Sequence, residues 1–148
     1  MIEGVRVIPL RRFVDERGSV LLMLKETDPH FVRFGEIYFS TVYSGVVKAW
    51  KNHRRMDANY ACLHGRIKVV LHDGRDGSPT HGGTMELHIS PEAEYALVVI
   101  PPGVWHGFQG VGDPVSILAN CATEPSDPSE LDRLDVADPA IPYDWAVS

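Results

Sequence analysis

The strongest constraint on this chain is how it is cut into short apolar runs by turn clusters. Val5–Leu10 and Thr84–Ile89 alternate apolar and polar residues, and Ser19–Leu24 is a further apolar run. Glu36–Val42 is rich in aromatic and β-branched side chains, which favour a pleated strand. Tyr60–His64 and Ile67–His72 flank a bend at Gly65, and Ala96–Ile100 is continuously apolar, as for a strand covered on both faces. Trp105–Phe108 and Val115–Leu118 complete the set. Asp15-Glu16-Arg17-Gly18, Ser44-Gly45, residues 73–83, Ser90–Glu94, Pro101-Pro102-Gly103 and Gly110–Pro114 are the breakers, and residues 25–35 read as a loop. No long amphipathic helix fits between them. Only Glu130–Leu134 is expected to make a helical turn. Such a pattern predicts an all-β sandwich or barrel, and a barrel of this size holds a small ligand in its mouth.

At 148 residues the chain is long enough for one domain with a full core. Its composition turns to Asp, Pro, Glu and Ser beyond Thr123. The expected division is therefore a barrel over 1–126 and a tail over 127–148 that packs on the barrel or is irregular. A net charge of -6 argues against a nucleic-acid binder, which carries a basic excess. No apolar run approaches a membrane span, so no membrane partner is expected and the cytoplasm is the expected location. Cys62 and Cys121 lack metal-type or redox-type spacing and read as small buried hydrophobes.

The chemistry concentrates in Gly45–His53, which places Lys48, Lys51 and His53 among apolar residues. In a regular strand Lys51 and His53 share a face, roughly 7 Å apart. An amine and an imidazole side by side suit proton transfer, and a half-exposed strand with its polar groups in water is the plain alternative. A second histidine, His106, stands in the segment Pro101–Phe108.

Four segments occur in order: Phe13–Gly18, Gly45–Lys48, Asp73–Thr80 and Ile100–Phe108. Together they resemble the dTDP-4-dehydrorhamnose 3,5-epimerase family of cupins, over roughly residues 5–126, with Asp138–Trp145 similar to the ending of some relatives. The resemblance implies a cupin-type jelly-roll barrel, a homodimer, a nucleotide-sugar ligand and no cofactor or metal. It also implies diphosphate contacts at Arg17 and Lys48. Glu36, Tyr38 and Ser40 fall where relatives touch the substrate, and Trp50 is expected beside them as a wall against Lys51. The chain also departs from the family. The Arg-Gly-Leu-His of typical members reads Lys48-Ala49-Trp50-Lys51, so the family's histidine base falls on Lys51. The family's lysine falls on Ala58, and its tyrosine acid is expected near Ala119-Asn120, where no tyrosine stands.

Lys51, His53 and His106 are thus the candidate catalytic residues. Lys51 serves as a base if burial or a neighbouring cation lowers its pKa, and otherwise stays charged and pairs with Glu36 or with phosphate. Metal-binding cupins offer more ligands than His53 and His106, and a lysine at the first ligand position opposes a cation. Three functions follow. The first is a nucleotide-sugar epimerase or isomerase acting on a 4-keto-6-deoxysugar in surface-polysaccharide or deoxysugar biosynthesis. The second is a non-catalytic nucleotide-sugar-binding cupin acting as partner or sensor. A metal-dependent cupin enzyme is the third and weakest.

Overall fold

The structure, a computed structural model, describes residues 1–146, so the last two residues of the expected tail, 147 and 148, lie outside the described residues. In chain order the strands are β1 (Arg6–Pro9), β2 (Arg12–Asp15), β3 (Gly18–Leu21), β4 (Glu36–Tyr43), β5 (Val47–His53) and β6 (Ala58–His64). They continue with β7 (Ile67–Asp73), β8 (Thr84–Ile89), β9 (Ala96–Ile100), β10 (Val104–Gly110), β11 (Val115–Ala122) and β12 (Leu131–Arg133). One five-stranded sheet runs β1-β9-β6-β11-β4 and the other β12-β5-β10-β7-β8; β2 and β3 form a separate hairpin. The named strand pairs are antiparallel; the fold is all-β, as the alternating runs predict, and a jelly-roll barrel, as the family resemblance implies.

Period-2 alternation sorts the side chains. On β7, Ile67, Val69 and Leu71 join Val42, Tyr60, Val98, Phe108 and Leu118 in the main core. The residues between them face the other way, and Val70 packs with Trp50 and Ile141 in a second, smaller core. That second core lies outside the barrel and is built from the C-terminal segment, with Leu134, Tyr143 and Trp145 against it. On β4 one face is half-buried toward the barrel, while Ile37, Phe39 and Tyr43 stay exposed on the other.

One expectation is corrected. Glu130–Leu134 is not a helical turn: a short 3-10 turn, Pro128–Glu130, runs straight into β12. The free edge of β5 accounts for this. The backbones of Trp50 and Leu134 exchange hydrogen bonds of 3.1 and 3.2 Å, and Arg54 N donates to the Glu130 carbonyl at 2.8 Å. An unpaired edge of a half-buried strand is thereby satisfied. The turn expected at Asp15-Glu16-Arg17-Gly18 is present: Glu16-Arg17 closes β2 onto β3.

The third feature is a break in register. His106 pairs with Lys51 and Phe108 with Lys48, so two steps on β10 oppose three on β5. The extra residue forms a bulge at Ala49-Trp50. Gly107 lies opposite: a Cβ there would come 2.5 Å from Ala49 Cβ, so the bulge needs glycine at that position. As a result Lys48 and Lys51, three residues apart, border the same cavity.

Candidate active site

The cavity between the sheets has two lobes. The first, about 350 Å³, is bordered by Tyr38, Ser40, Lys48, Lys51, Tyr60, His106, Phe108, Leu118 and Arg133, among others. The second, about 370 Å³, is bordered by Glu36, Tyr38, Lys51, His53, Glu130 and Arg133. Tyr38, Lys51 and Arg133 belong to both lobes and mark their junction.

The Lys51 side chain stands at that junction with no hydrogen bond or ion pair to any described residue. Its pKa is held below that of an ordinary lysine, first by burial and then by the positive charges of Arg133 and Lys48. Arg133 is its register partner on β12. Lys48 is exposed at the rim, where its Nζ donates to the Thr41 carbonyl at 2.6 Å.

His53 is buried, and its Nδ1 lies 2.6 Å from Glu130 Oε1. The other carboxylate oxygen accepts from the backbone amides of Arg55 at 3.0 Å and Met56 at 3.2 Å. Burial pushes the Glu130 pKa up, but the His53 hydrogen bond and the two amides outweigh it and hold the carboxyl below its ordinary value. A carboxylate at Nδ1 fixes the ring proton there and leaves Nε2 with a lone pair. His106 stacks on His53, with centroids 5.6 Å apart and 19° between planes. Its Nδ1 donates to the Val104 carbonyl at 3.1 Å, and Nε2, also buried, has no partner. Burial pushes its pKa down to about 3, against the Val104 hydrogen bond and with help from His53 and Lys51, so the ring is neutral.

Tyr60 meets His106 edge-on at 5.6 Å. Burial raises its phenol, with the nearby Tyr38 adding to the effect. The Tyr38 hydroxyl accepts from Asn120 Nδ2 at 3.0 Å. Phenols thus stand on β4 and β6, the two neighbours of Asn120 on β11, although Ala119-Asn120 itself supplies none.

The sequence candidates divide as follows. Lys48, Lys51, His53 and His106 come together with Glu36, Tyr38 and Ser40 around the two lobes. Glu36 is tied to Ser126, accepting from its amide at 2.8 Å and its hydroxyl at 3.1 Å. Trp50 borders the first lobe, but its indole is not the expected wall beside Lys51. It packs in the outer core, 5.2 Å from Trp145 and 6.3 Å from Tyr143, because the bulge and the alternation of β5 turn it toward the tail. Trp105 packs against the same outer core. Arg17 borders neither lobe of its own chain; it sits at the hairpin tip with a side chain 83% exposed, paired with Asp15 at 2.6 Å. Sequence reasoning missed Glu130, Arg133 and Tyr60. The first two lie in the Asp- and Pro-rich segment, where no periodicity marks an inward side chain. Among the described residues, no three His, Cys, Asp or Glu side chains converge as for a metal ion.

Comparison with known proteins agrees with this geometry. A profile described as dTDP-4-dehydrorhamnose 3,5-epimerase matches residues 1–148, so the tail belongs to the match that the four segments placed only over roughly residues 5–126. The chain is 34% identical over 147 residues to a probable low-salt glycan biosynthesis epimerase of Haloferax volcanii, covering 97% of this chain and 89% of that one. It is 32% identical over 148 residues to a spore coat polysaccharide biosynthesis protein of Bacillus subtilis, covering 98% and 97%. The crystal structure of a dTDP sugar isomerase from Desulfovibrio desulfuricans superimposes with a TM-score of 0.96 at 42% identity, over 99% of this chain and 94% of that one. With the jelly roll and the cavity in hand, this chain belongs to the dTDP-4-dehydrorhamnose 3,5-epimerase family.

Proposed function

We propose that the chain epimerises a dTDP-type 4-keto-6-deoxysugar nucleotide for surface-polysaccharide or deoxysugar biosynthesis in the cytoplasm. The observation that carries this reading is the meeting of Lys51, His53 on Glu130, and neutral His106 around one cavity. Epimerisation next to a ketone needs a base for the carbon-bound proton and a positive group at the carbonyl oxygen. His53 has the free Nε2 of a histidine oriented by a carboxylate, and Lys51 supplies the group at the carbonyl. His106, held neutral, accepts a hydrogen bond from a sugar hydroxyl through Nε2. Tyr60, Phe108 and Leu118 form an apolar wall suited to the methyl group of a 6-deoxysugar.

Lys48 and Arg133 hold the diphosphate, Lys48 as a point charge and Arg133 as a bidentate fork. Arg17 joins them from a second copy of the chain. Phe13, Val14 and Val20 on its hairpin are exposed, as are Ile37, Phe39 and Tyr43 on the outer face of β4, and a homodimer covers such faces. The function needs no cofactor. Among the described residues no helix is long and apolar enough to cross a membrane.

Incubation with a dTDP-linked 4-keto-6-deoxyglucose, followed by proton NMR, tests the reading. A new diastereomer is expected. Tight binding of the same compound with no conversion would instead establish the non-catalytic binding protein.

A further inference from the structure

Resting on that reading, we propose that Lys51 acts as a covalent catalyst, forming an imine with the ketone carbon of the sugar. Three observations lead there. Lys51 lies at the junction of both lobes and has no partner among the described residues, so its nitrogen is not tied to a carboxylate. Arg133, its register partner, and Lys48 are both cations, and an amine half-buried between cations is the environment that frees a lysine nitrogen for attack on a carbonyl. The base position is filled separately: His53, two residues along the same strand and oriented by Glu130, already offers a lone pair. Two adjacent bases would duplicate one task. An amine at the carbonyl beside a base for the neighbouring carbon divides the task in two.

The step balances as follows. Neutral Lys51 Nζ adds to the ketone carbon, and the carbonyl oxygen leaves as water after taking up a proton. The product is an iminium, formed from one amine, one ketone and one proton with release of one water. Its positive nitrogen draws the electron pair when the proton on the adjacent carbon passes to His53 Nε2. The resulting enamine takes a proton from water on the opposite face, and His53 passes its proton to the hydroxide left behind. Water then adds to the iminium and releases ketone, free amine and the borrowed proton. No oxidant, reductant or metal takes part.

The test mixes the intact protein with the dTDP-linked 4-keto-6-deoxyglucose and sodium cyanoborohydride, then maps the adduct by peptide mass spectrometry. A reduced sugar-nucleotide adduct on Lys51 is expected. In water enriched in oxygen-18, the ketone oxygen should exchange at least 10-fold faster with the wild type than with Lys51→Arg, which keeps the charge but forms no imine. Binding of dTDP by Lys51→Arg reports that the variant is folded, and Lys51→Ala serves if it is not. Deuterium exchange at the adjacent carbon, run in parallel, separates this inference from the epimerase reading. Exchange in the wild type with no adduct and no accelerated oxygen exchange overturns the imine and leaves the epimerase. Absence of all three signals overturns both.

Discussion

Two lysines lie on opposite faces of the sheet β12-β5-β10-β7-β8, and the protein treats them differently. Lys68 on β7 is fully buried on the outer face. Its Nζ sits 5.3 Å above the Tyr143 ring and 5.4 Å above the Trp145 ring, and donates to the Trp145 carbonyl at 3.3 Å. The C-terminal segment thus gives that charge an aromatic cage. Lys51 on β5 faces inward, and the charges of Arg133 and Lys48 beside it are both positive. One sheet therefore holds a sealed side that satisfies its lysine and an open side whose lysine side chain has no partner among the described residues. A half-buried amine without a partner adds little to stability, so the open side is where the molecule has kept chemistry instead.

The largest effect is expected on the sealed side. Trp50 is 1% exposed among Val70, Ile141, Tyr143 and Trp145. Trp50→Ala should cost about 3–5 kcal/mol, seen as a lower denaturation midpoint in urea, since the cavity it leaves is only partly closed by relaxation. If the tail were a loose appendage, the loss would fall to a surface value below about 0.5 kcal/mol.

On the open side, Glu130→Gln keeps the shape of the His53 contact and removes its charge. Solvent deuterium exchange into the substrate should slow by about 10²-fold or more, the range that general acid–base groups supply. Unchanged exchange would move the base away from His53.

His106 sharpens the comparison through pH. Its pKa is about 3 in the folded state against an ordinary 6.5, the first cause being burial. As the pH falls below about 6.5, the unfolded chain takes up a proton at this position that the folded chain refuses. The stabilisation is full above the unfolded value and is lost progressively toward about 3, on the order of a few kcal/mol. His106→Phe should make the urea midpoint flatter between pH 6.5 and 4. The Glu130 carboxyl, also held below its ordinary 4.5, acts in the same direction at lower pH, and its share remains in that variant.

The smallest effect belongs to the rim. Lys48→Ala should weaken dTDP binding roughly 5- to 30-fold by calorimetry, as for loss of one charged hydrogen bond of about 1–2 kcal/mol, with folding intact.

How much of this was legible in the sequence depends on what each side asks of it. The strands announce themselves because alternation and turn residues are local signals; Ala96–Ile100 reads as doubly covered and is β9. Lys51 and His53 are visible for the same reason, sharing a face two residues apart. Lys48 would have faced away in a regular strand, and only the bulge opposite Gly107 brings it round. Trp50 faces outward by alternation with Lys51, but the aromatic partner it meets there lies more than 90 residues away, which no local pattern encodes. Glu130 was hidden most completely. It lies 77 residues from His53, in a stretch expected to make a helical turn, and is drawn in by backbone pairing along the edge of β5.

The most direct test of the open side is deuterium wash-in. The dTDP-linked 4-keto-6-deoxyglucose is incubated with the protein in deuterium oxide, and the carbons next to the ketone are followed by NMR. The wild type should incorporate deuterium far faster than buffer alone, and His53→Gln should not, while both still bind dTDP. A wild type that binds the nucleotide sugar and leaves those carbons fully protonated would contradict the account.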